Sequence, residues 1–358
     1  IDSMIIQLMS NKETLKYMTI GWVQKALIVL IFSSPTTSWA NDIYMNQIGD
    51  DLDLTIVQDG QNNQIEGLSG SGSAVVNGSS NTYDLSQTGN TNQYRIWAYG
   101  NNQIVTGDVI GNNNTNSIDN HGHDNDIAID IDGNSNVSHT EIGNGGDSNN
   151  AINVKIDGDS NNVYAEVQNG NSNNIDVQLH GHSNNIARVT VNGSNNNIKA
   201  WQGRHEDGTV DNNETGDNDV YWIVAGSNNN LSSYQTDDNN NGGQHIANYV
   251  TGNSNDVKHT QRGSGNHEGY IEITGDGNDV ELLQRGNTDT QFADIVLDDG
   301  HTVDIFQRYG DHTANIDLTN AGGAYNLNLD QTASTSQTYN LTGTCTNSNG
   351  CGVTVVQN

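Results

Sequence analysis

The stretch 146–202 constrains the fold of this chain most strongly. It reads GDSNNAINVKID, GDSNNVYAEVQN, GNSNNIDVQLH, GHSNNIARVTVN and GSNNNIKAWQ, so five successive segments open with glycine and an Asn-rich turn. After each turn apolar and polar residues alternate, as at Ile152, Val154 and Ile156. Alternation with period two predicts a β-strand with one buried face. Because the strand centres lie 11 or 12 residues apart, the stretch indicates a stacked repeat.

Glutamines set a longer period in the second half of the chain. Gln261, Gln284 and Gln307 are equally spaced, at about twice the interval between strands, and Gln331 and Gln357 continue the series. The repeating unit is therefore a pair of strands with two turns. The sequence predicts an all-β fold, a β-solenoid of about 22–23-residue strand-turn-strand-turn coils that form two facing parallel sheets. Asn and Gln side chains stacked from coil to coil are expected to hydrogen-bond into ladders.

The first 40 residues differ from the repeat and are interpreted as a secretory signal peptide. Lys12, Lys16 and Lys25 supply a basic region, ALIVLIF at 26–32 is a short apolar core, and SWA ends at Ala40. Small residues before the end of this segment are typical of a cleavage site. We therefore expect that residues 1–40 are removed during export.

The remaining residues, 41–358, are predicted to form a single repeat domain with polar loop insertions near 205–219 and 236–244. They carry 9 Lys+Arg against 41 Asp+Glu, a net charge of about −32. This charge disfavours nucleic acid and anionic lipid as partners. The apolar run at 26–32 is too short to span a membrane, and no other run is longer. Residues 41–358 contain no proline, which a continuous strand ladder must exclude.

Two cysteines, Cys345 and Cys351, lie six residues apart in CTNSNGC. In an exported protein this spacing predicts a small-loop disulfide that pins the last coil.

Four copies of the motif Gln-x-Gly-x-x-Asn are spread over 41–358. They comprise Gln58, Gly60 and Asn63; Gln87, Gly89 and Asn92; Gln168, Gly170 and Asn173; and Gln261, Gly263 and Asn266, with partial copies at Gln47, Gln284 and Gln307. This phased set resembles the repeat of curlins, the secreted subunits of curli, which are functional amyloid fibres of bacterial biofilms.

The resemblance implies a β-solenoid subunit in which these Gln, Gly and Asn residues form a structural repeat ladder. It also implies export through an outer-membrane secretion pore, growth from a nucleator subunit, and polymerisation of identical copies. The product would be an extracellular, cell-surface fibre of a Gram-negative-type bacterium. Because this chain is longer than a typical curlin and richer in Asn and Asp, the resemblance is to a curlin-like relative.

An acidic turn that contains Asp276, Asn278 and Asp279 resembles one nonapeptide of the calcium-binding RTX β-roll. RTX rolls need this motif in tandem, about every nine residues, whereas the strands of this chain recur every 11 to 12. Solvated acidic turns are the alternative interpretation. We therefore expect no cofactor other than loosely bound calcium.

Paired histidines occur in two turns, at His121 and His123 and at His180 and His182. Histidine in this sequence mostly stands where Asn stands in other turns. Two histidines are too few for a zinc or copper site unless a third ligand approaches. We interpret all four as polar turn residues.

Aromatic residues cluster at Tyr94, Trp97 and Tyr99 and at Tyr221 and Trp222. Outward-facing rings would suit stacking on matrix glycans, and inward-facing rings would belong to the core or to lateral packing.

The leading hypothesis is a non-enzymatic, secreted structural subunit that self-assembles by end-to-end β-stacking into amyloid-like fibres for biofilm matrix or adhesion. The first alternative is a calcium-dependent secreted β-roll adhesin or binding module. A β-helix carbohydrate-active enzyme is the third, since acidic pairs are abundant but no catalytic motif stands out.

Overall fold

The computed structural model describes residues 6–9, 18–20, 27–33, 42–43, 45–48, 53–67, 72–143, 148–179, 186–202, 218–236, 244–263, 267–286, 291–296, 300–318, 323–332, 334–343 and 345–357. Strands are the only regular elements in these residues, and they pair in parallel. The predicted all-β solenoid with a coil of about 23 residues is confirmed. The chain divides into two compact units, Ile1–Asn173 and Asn174–Asn358.

Unit 1 contains β1 (Ile6–Met9), β2 (Met18–Ile20), β3 (Leu27–Ser33), β4 (Asp42–Ile43), β5 (Met45–Ile48), β6 (Asp53–Asp59), β7 (Gln64–Glu66), β8 (Ala74–Asn77), β9 (Thr82–Thr88), β10 (Gln93–Tyr99), β11 (Ile104–Ile110), β12 (Thr115–His121), β13 (Asp126–Asp132), β14 (Val137–Glu141), β15 (Ala151–Lys155) and β16 (Asn162–Ala165). Its first sheet has the order β1-β3-β6-β9-β11-β13-β15. Its second sheet has the order β2-β5-β8-β10-β12-β14-β16, and β4 and β7 join this sheet beside β10.

Unit 2 contains β17 (Asn174–Gln178), β18 (Ile186–Arg188), β19 (Val191–Asn192), β20 (Asn197–Gln202), β21 (Asn218–Tyr221), β22 (Val224–Ala225), β23 (Asn230–Thr236), β24 (Gln244–His245), β25 (Asp256–Arg262), β26 (Asp279–Arg285), β27 (Gln291–Val296), β28 (Ile305–Arg308), β29 (His312–Asp317), β30 (Tyr325–Gln331), β31 (Gln337–Thr342) and β32 (Cys351–Gln357). Its first sheet has the order β17-β20-β23-β25-β26-β28-β30-β32. The other strands form the groups β18-β21-β24, β19-β22 and β27-β29-β31.

From β9 to β16, strands that follow each other in the chain belong to opposite sheets, so each coil of this stretch contributes one strand to each sheet. In unit 1, Tyr83 is the register partner of Val105, and Val105 is the partner of Ile127, so successive coils advance by 22 residues. In unit 2, Val257 is the partner of Val280, a step of 23 residues. Alternation along each strand places the apolar side chains between the sheets, where they are almost fully buried.

One step in unit 2 is longer, because Ile198 pairs with Leu231 at a sequence separation of 33 residues. The predicted insertions near 205–219 and 236–244 lie largely outside the described residues. Their described margins belong to strands: Asn218 and Asp219 begin β21, and Gln244 begins β24.

The corners explain the glycines of the repeat. Gly60 has φ +120°, and a Cβ atom on it would lie 1.8 Å from the carbonyl oxygen of Gly89 in the next coil. Asn62 takes the left-handed conformation with φ 57°, and the following Asn63 is buried. The backbone can therefore turn sharply and approach the next coil only where a side chain is absent.

The segment interpreted as a signal peptide also contributes a strand to the first sheet of unit 1. The backbone of β3 lies parallel to β6, with Leu30 as the register partner of Ile56. Removal of residues 1–40 would consequently leave one edge of β6 exposed.

Candidate assembly surfaces and polar ladders

A glutamine ladder runs along the inner face of the first sheet in unit 2. Each Nε2 donates to the Oε1 of the glutamine in the next coil. The bonds join Gln202 to Gln235 (3.0 Å), Gln235 to Gln261 (3.0 Å), Gln261 to Gln284 (2.9 Å), Gln284 to Gln307 (3.0 Å), Gln307 to Gln331 (2.9 Å) and Gln331 to Gln357 (2.7 Å). In unit 1, Gln58 donates to Gln87 in the same sense at 2.8 Å.

The same amides also tie the two sheets together. Gln261 Nε2 donates to the backbone oxygen of His245 at 2.6 Å, and Gln307 Nε2 donates to that of Phe292 at 3.1 Å. Each of these two glutamines is buried and hydrogen-bonded to the coils on either side, so the ladder satisfies polar groups that would otherwise destabilise a core this thin.

Sequence reasoning missed two ladder members, Gln202 and Gln235. Their strands end in AWQ and YQT, which resemble the TQR and LQR endings further along. The 33-residue step between them hid the period. Conversely, Gln168 carries the motif but is half-buried after the end of β16, outside any strand.

Asparagine ladders occupy corners at which strands begin. In unit 2, Asn255 Oδ1 accepts the backbone N–H of Asn278 at 2.9 Å and its Nδ2 at 3.0 Å. Asn255 Nδ2 in turn donates to Asn229 Oδ1 at 3.1 Å and to the carbonyl oxygen of Gly275 at 2.9 Å. Each corner side chain therefore bonds the coils before and after it.

Motif asparagines of unit 1 lie at corners of both sheets, because Asn63 and Asn92 precede β7 and β10 of the second sheet, whereas Asn173 precedes β17. Asn63 Oδ1 accepts the N–H of Asn92 at 2.9 Å, and Asn173 donates to Asn150 Oδ1 at 3.0 Å. Gly170, the motif glycine before Asn173, accepts Asn150 Nδ2 at 2.8 Å. Asn266 lies outside the described residues, and its neighbour Gly263 is buried and donates its N–H to Thr236.

The last coil of unit 2 is less covered than the coils before it. Its strand β32 pairs with β30, and its strand β31 pairs with β29. The inward-facing Val353 and Val355 of β32 are half-buried, whereas Leu327 and Leu329, their partners in β30, are fully buried. Within the described residues, the second edge of each of these strands has no strand partner. This coil therefore presents unpaired backbone groups and partly exposed apolar side chains.

A disulfide joins Cys345 and Cys351 just before β32. It closes the connection between β31 and β32, because Cys351 is the first residue of β32. The bridge thus constrains the least covered coil of unit 2.

The structure separates the three residues considered for calcium. Asn278 is buried in the corner ladder, where its Oδ1 accepts the N–H of His301 at 2.9 Å, so this oxygen does not face the acidic turn. Asp276 is exposed and accepts the N–H of Asn253 at 2.6 Å, and Asp279 begins β26 on the outer face. No group of three or more acidic, His or Cys side chains in the described part of the chain is arranged to hold a metal ion.

The histidines at 121 and 123 diverge. His121 lies 2.8 Å from Asp119 on the outer face. His123 Nδ1 accepts the backbone N–H of Asn101 at 3.1 Å. One coil earlier, Asn101 Oδ1 accepts the backbone N–H of Ser79 in the same way. His123 thus fills an asparagine position, whereas His180 and His182 lie outside the described residues.

Aromatic residues of each cluster alternate between the two faces. Tyr94 is buried, whereas Trp97 is 43% exposed and lies 6.1 Å from the ring of Tyr99. Trp222 is buried and Tyr221 faces outward. The outer rings can offer a flat apolar surface to a sugar or to another protein.

No protein-family model matches this sequence, and a search of curated proteins found no match. The described residues contain no helix long and apolar enough to cross a membrane.

Proposed function

We propose that this chain is a secreted structural subunit that assembles end to end into extracellular, amyloid-like fibres. The observation that carries the proposal is the last coil of unit 2, where inward-facing residues of β31 and β32 are only half-buried. A second copy that adds a coil in the same parallel arrangement would bury these side chains and pair both strand edges.

The first coil after residue 40 offers a complementary surface once the signal peptide is removed. In β6 the inward residues are Leu54, Ile56 and Gln58, the same order of apolar, apolar and glutamine that ends β32. Within the described residues, Gln58 Oε1 accepts no hydrogen bond. Stacking β6 of one copy on β32 of another would let Gln357 Nε2 donate to this oxygen and extend the ladder without a break.

A curlin-like role fits the chemistry of the motif. In the copy at 58–63, Gln58 stacks on the next coil, Gly60 permits close approach at the corner, and Asn63 bonds the adjoining coil, so all three motif residues serve stacking. The resemblance extends the proposal to an outer-membrane secretion pore, a nucleator subunit and matrix glycans as partners at the surface of a Gram-negative-type bacterium. The function is structural and requires no bound cofactor and no catalysis.

The test uses two adjacent residues of β32 with opposite orientation. Val355→Lys places a charge on the half-buried inward face, and Thr354→Lys places the same charge on the exposed outward face. Chain 41–358 should form fibres that diffract at about 4.8 Å after a lag phase. Elongation from wild-type seeds should be lost with Val355→Lys and retained with Thr354→Lys, provided that both variants keep the circular dichroism of the wild type.

Two outcomes would contradict the proposal. One is a protein that stays monomeric at high concentration and folds only after calcium is added, which supports a calcium-dependent β-roll adhesin. The other is cleavage of a polysaccharide that depends on one carboxylate, which supports a β-helix enzyme. Fibre growth in the presence of EDTA would exclude a requirement for calcium.

A further inference from the structure

The outer face of β25, β26 and β28 in unit 2 carries an ordered charge pattern. Outward side chains of neighbouring strands stand in register one coil apart. Across the face they form an acidic group, an apolar pair and an arginine column. The acidic group is Asp256, Asp279, Glu281 and Asp304; the apolar pair is Leu283 and Phe306; the arginine column is Arg262, Arg285 and Arg308.

The arginine column concentrates positive charge in a strongly acidic protein. Arg262 is the register partner of Arg285, and Arg285 is the partner of Arg308. These residues are three of the nine Lys and Arg in 41–358. Neighbouring strands place them about 4.8 Å apart, and like charges directly opposite each other destabilise a sheet. This column therefore gives one side of the face a positive charge.

The acidic group carries the opposite charge. Lys258 lies 3.0 Å from Glu281, but four carboxylates share this side of the face. Burial, followed by the charges of Asp256 and Glu281, raises the pKa of Asp279. Burial and then the charge of Glu281 also raise the pKa of Asp304. A cationic partner placed here would favour the ionised carboxylates.

Between the charged columns, Leu283 and Phe306 are half-buried. The guanidinium of Arg308 lies 4.3 Å from the centroid of the Phe306 ring, so its charged group is held at the edge of the apolar pair. β26 and β28 therefore share the order acidic, apolar, basic, whereas β25 has Lys258 and Thr260 between Asp256 and Arg262.

We propose that this face binds the same face of a second copy, side by side, about a two-fold axis parallel to the direction in which these coils stack. That rotation reverses the order of the columns, so arginines meet carboxylates and the apolar pairs meet each other. The other face-to-face arrangement, with the second copy turned end over end, places like charges together. The coil spacing is common to both copies, so several Arg–carboxylate pairs can form in register.

A charge exchange tests this pairing independently of end-to-end assembly. The acidic variant combines Arg262→Glu, Arg285→Glu and Arg308→Glu. The basic variant combines Asp279→Lys, Glu281→Lys and Asp304→Lys. The matched control makes the same change of net charge as the basic variant, but on the first sheet of unit 1, with Asp84→Lys, Asp108→Lys and Asp126→Lys, three exposed positions.

The pairing is measured by sedimentation of the soluble protein before fibres appear. The buffer contains about 150 mM salt, because this concentration screens the repulsion between two acidic proteins beyond about 8 Å. Wild type and the control should form a dimer, and each face variant alone should pair at least about tenfold more weakly. An equimolar mixture of acidic and basic variants should restore the dimer. All variants should retain wild-type circular dichroism. If the triple variants do not fold, the single variants Arg285→Glu and Glu281→Lys replace them as the acidic and the basic variant.

A mixture that remains monomeric would overturn the proposal, as would a wild-type chain that sediments as a monomer throughout. Binding of the arginine column to an anionic polysaccharide such as alginate, with no dimer formed, would also overturn it. End stacking is measured separately by the Val355→Lys variant, so loss of fibres and loss of lateral pairing can be distinguished.

Discussion

Replacement of a corner asparagine tests whether the ladders hold the coils together. Asn255 is 1% exposed, and its side chain makes hydrogen bonds to Asn229, Gly275 and Asn278. Two of these bonds are donated by Nδ2 and two are accepted by Oδ1. Asn255→Ala removes all of them and leaves the N–H of Asn278 and the carbonyl oxygen of Gly275 without these partners.

The expected loss follows from the number of bonds. A hydrogen bond contributes about 0.5–1.5 kcal/mol net, and an orphaned buried group costs about 1–3 kcal/mol. Four lost bonds therefore predict a loss of about 4 kcal/mol in the free energy of unfolding of the coils around β25 and β26. For a slope of about 2 kcal/mol per molar urea, the midpoint should fall by about 2 M.

Urea titration followed by circular dichroism, with hydrogen exchange at the Asn278 amide, measures this loss. The control is Asn253→Ala, two residues earlier in the same corner. Asn253 is exposed and also bonds neighbouring coils, through Asp276 and Ser227, so water can replace its partners. We expect a change below about 1 kcal/mol for this variant. Equal effects of the two substitutions, or an unchanged midpoint for Asn255→Ala, would refute the ladder argument.

Two further predictions concern buried groups of unit 2. Burial lowers the pKa of His259 from 6.5 to about 3, so between these pH values the unfolded chain binds a proton that the folded chain does not. The free energy of unfolding should therefore fall by up to about 1.4 kcal/mol per pH unit as pH drops from about 6.5 toward 3, seen as a lower urea midpoint, and His259→Gln should flatten that dependence. A pH dependence that His259→Gln leaves unchanged would contradict this assignment. Cys345→Ser opens a disulfide loop with a sequence separation of six and should destabilise the last coil by about 2 kcal/mol, seen as faster hydrogen exchange in β31 and β32. Faster exchange throughout β25 and β26 would instead assign the bridge a role in the whole unit.

The repeat architecture was predictable because it depends on local pattern. Alternation in segments such as NAINVKI specifies which face of a strand is buried, and a turn of Gly and Asn at a fixed interval specifies where the strand ends. The structure confirms both sheets and the coil of about 23 residues. The two-strand coil was already evident from the spacing of Gln261, Gln284 and Gln307.

The partners of particular side chains were not predictable from local pattern. Gln235 enters the ladder although its sequence separation from Gln202 is 33 residues, because parallel pairing aligns β20 with β23 regardless of the length of the connection. Gln168 has the complete motif yet lies outside a strand. Motif identity therefore does not determine ladder membership.

The same distinction applies to the candidate sites. Asn278 belongs to an acidic turn in the sequence, but stacking on Asn255 commits its amide to the corner ladder. The outer arginine column and the carboxylates opposite it come from successive coils, so only the register of β25, β26 and β28 brings them onto one face.

By itself the sequence determined the all-β solenoid, the length of its coil and the residue classes at its corners. These properties follow from side-chain alternation and from the conformations open to Gly and Asn, which act within a few residues. The tertiary structure alone decided which glutamines and asparagines bond to each other, which aromatic rings face outward, and that the last coil of unit 2 is partly uncovered. Those properties depend on the register between coils, which is set by backbone pairing and core packing between segments far apart in the sequence.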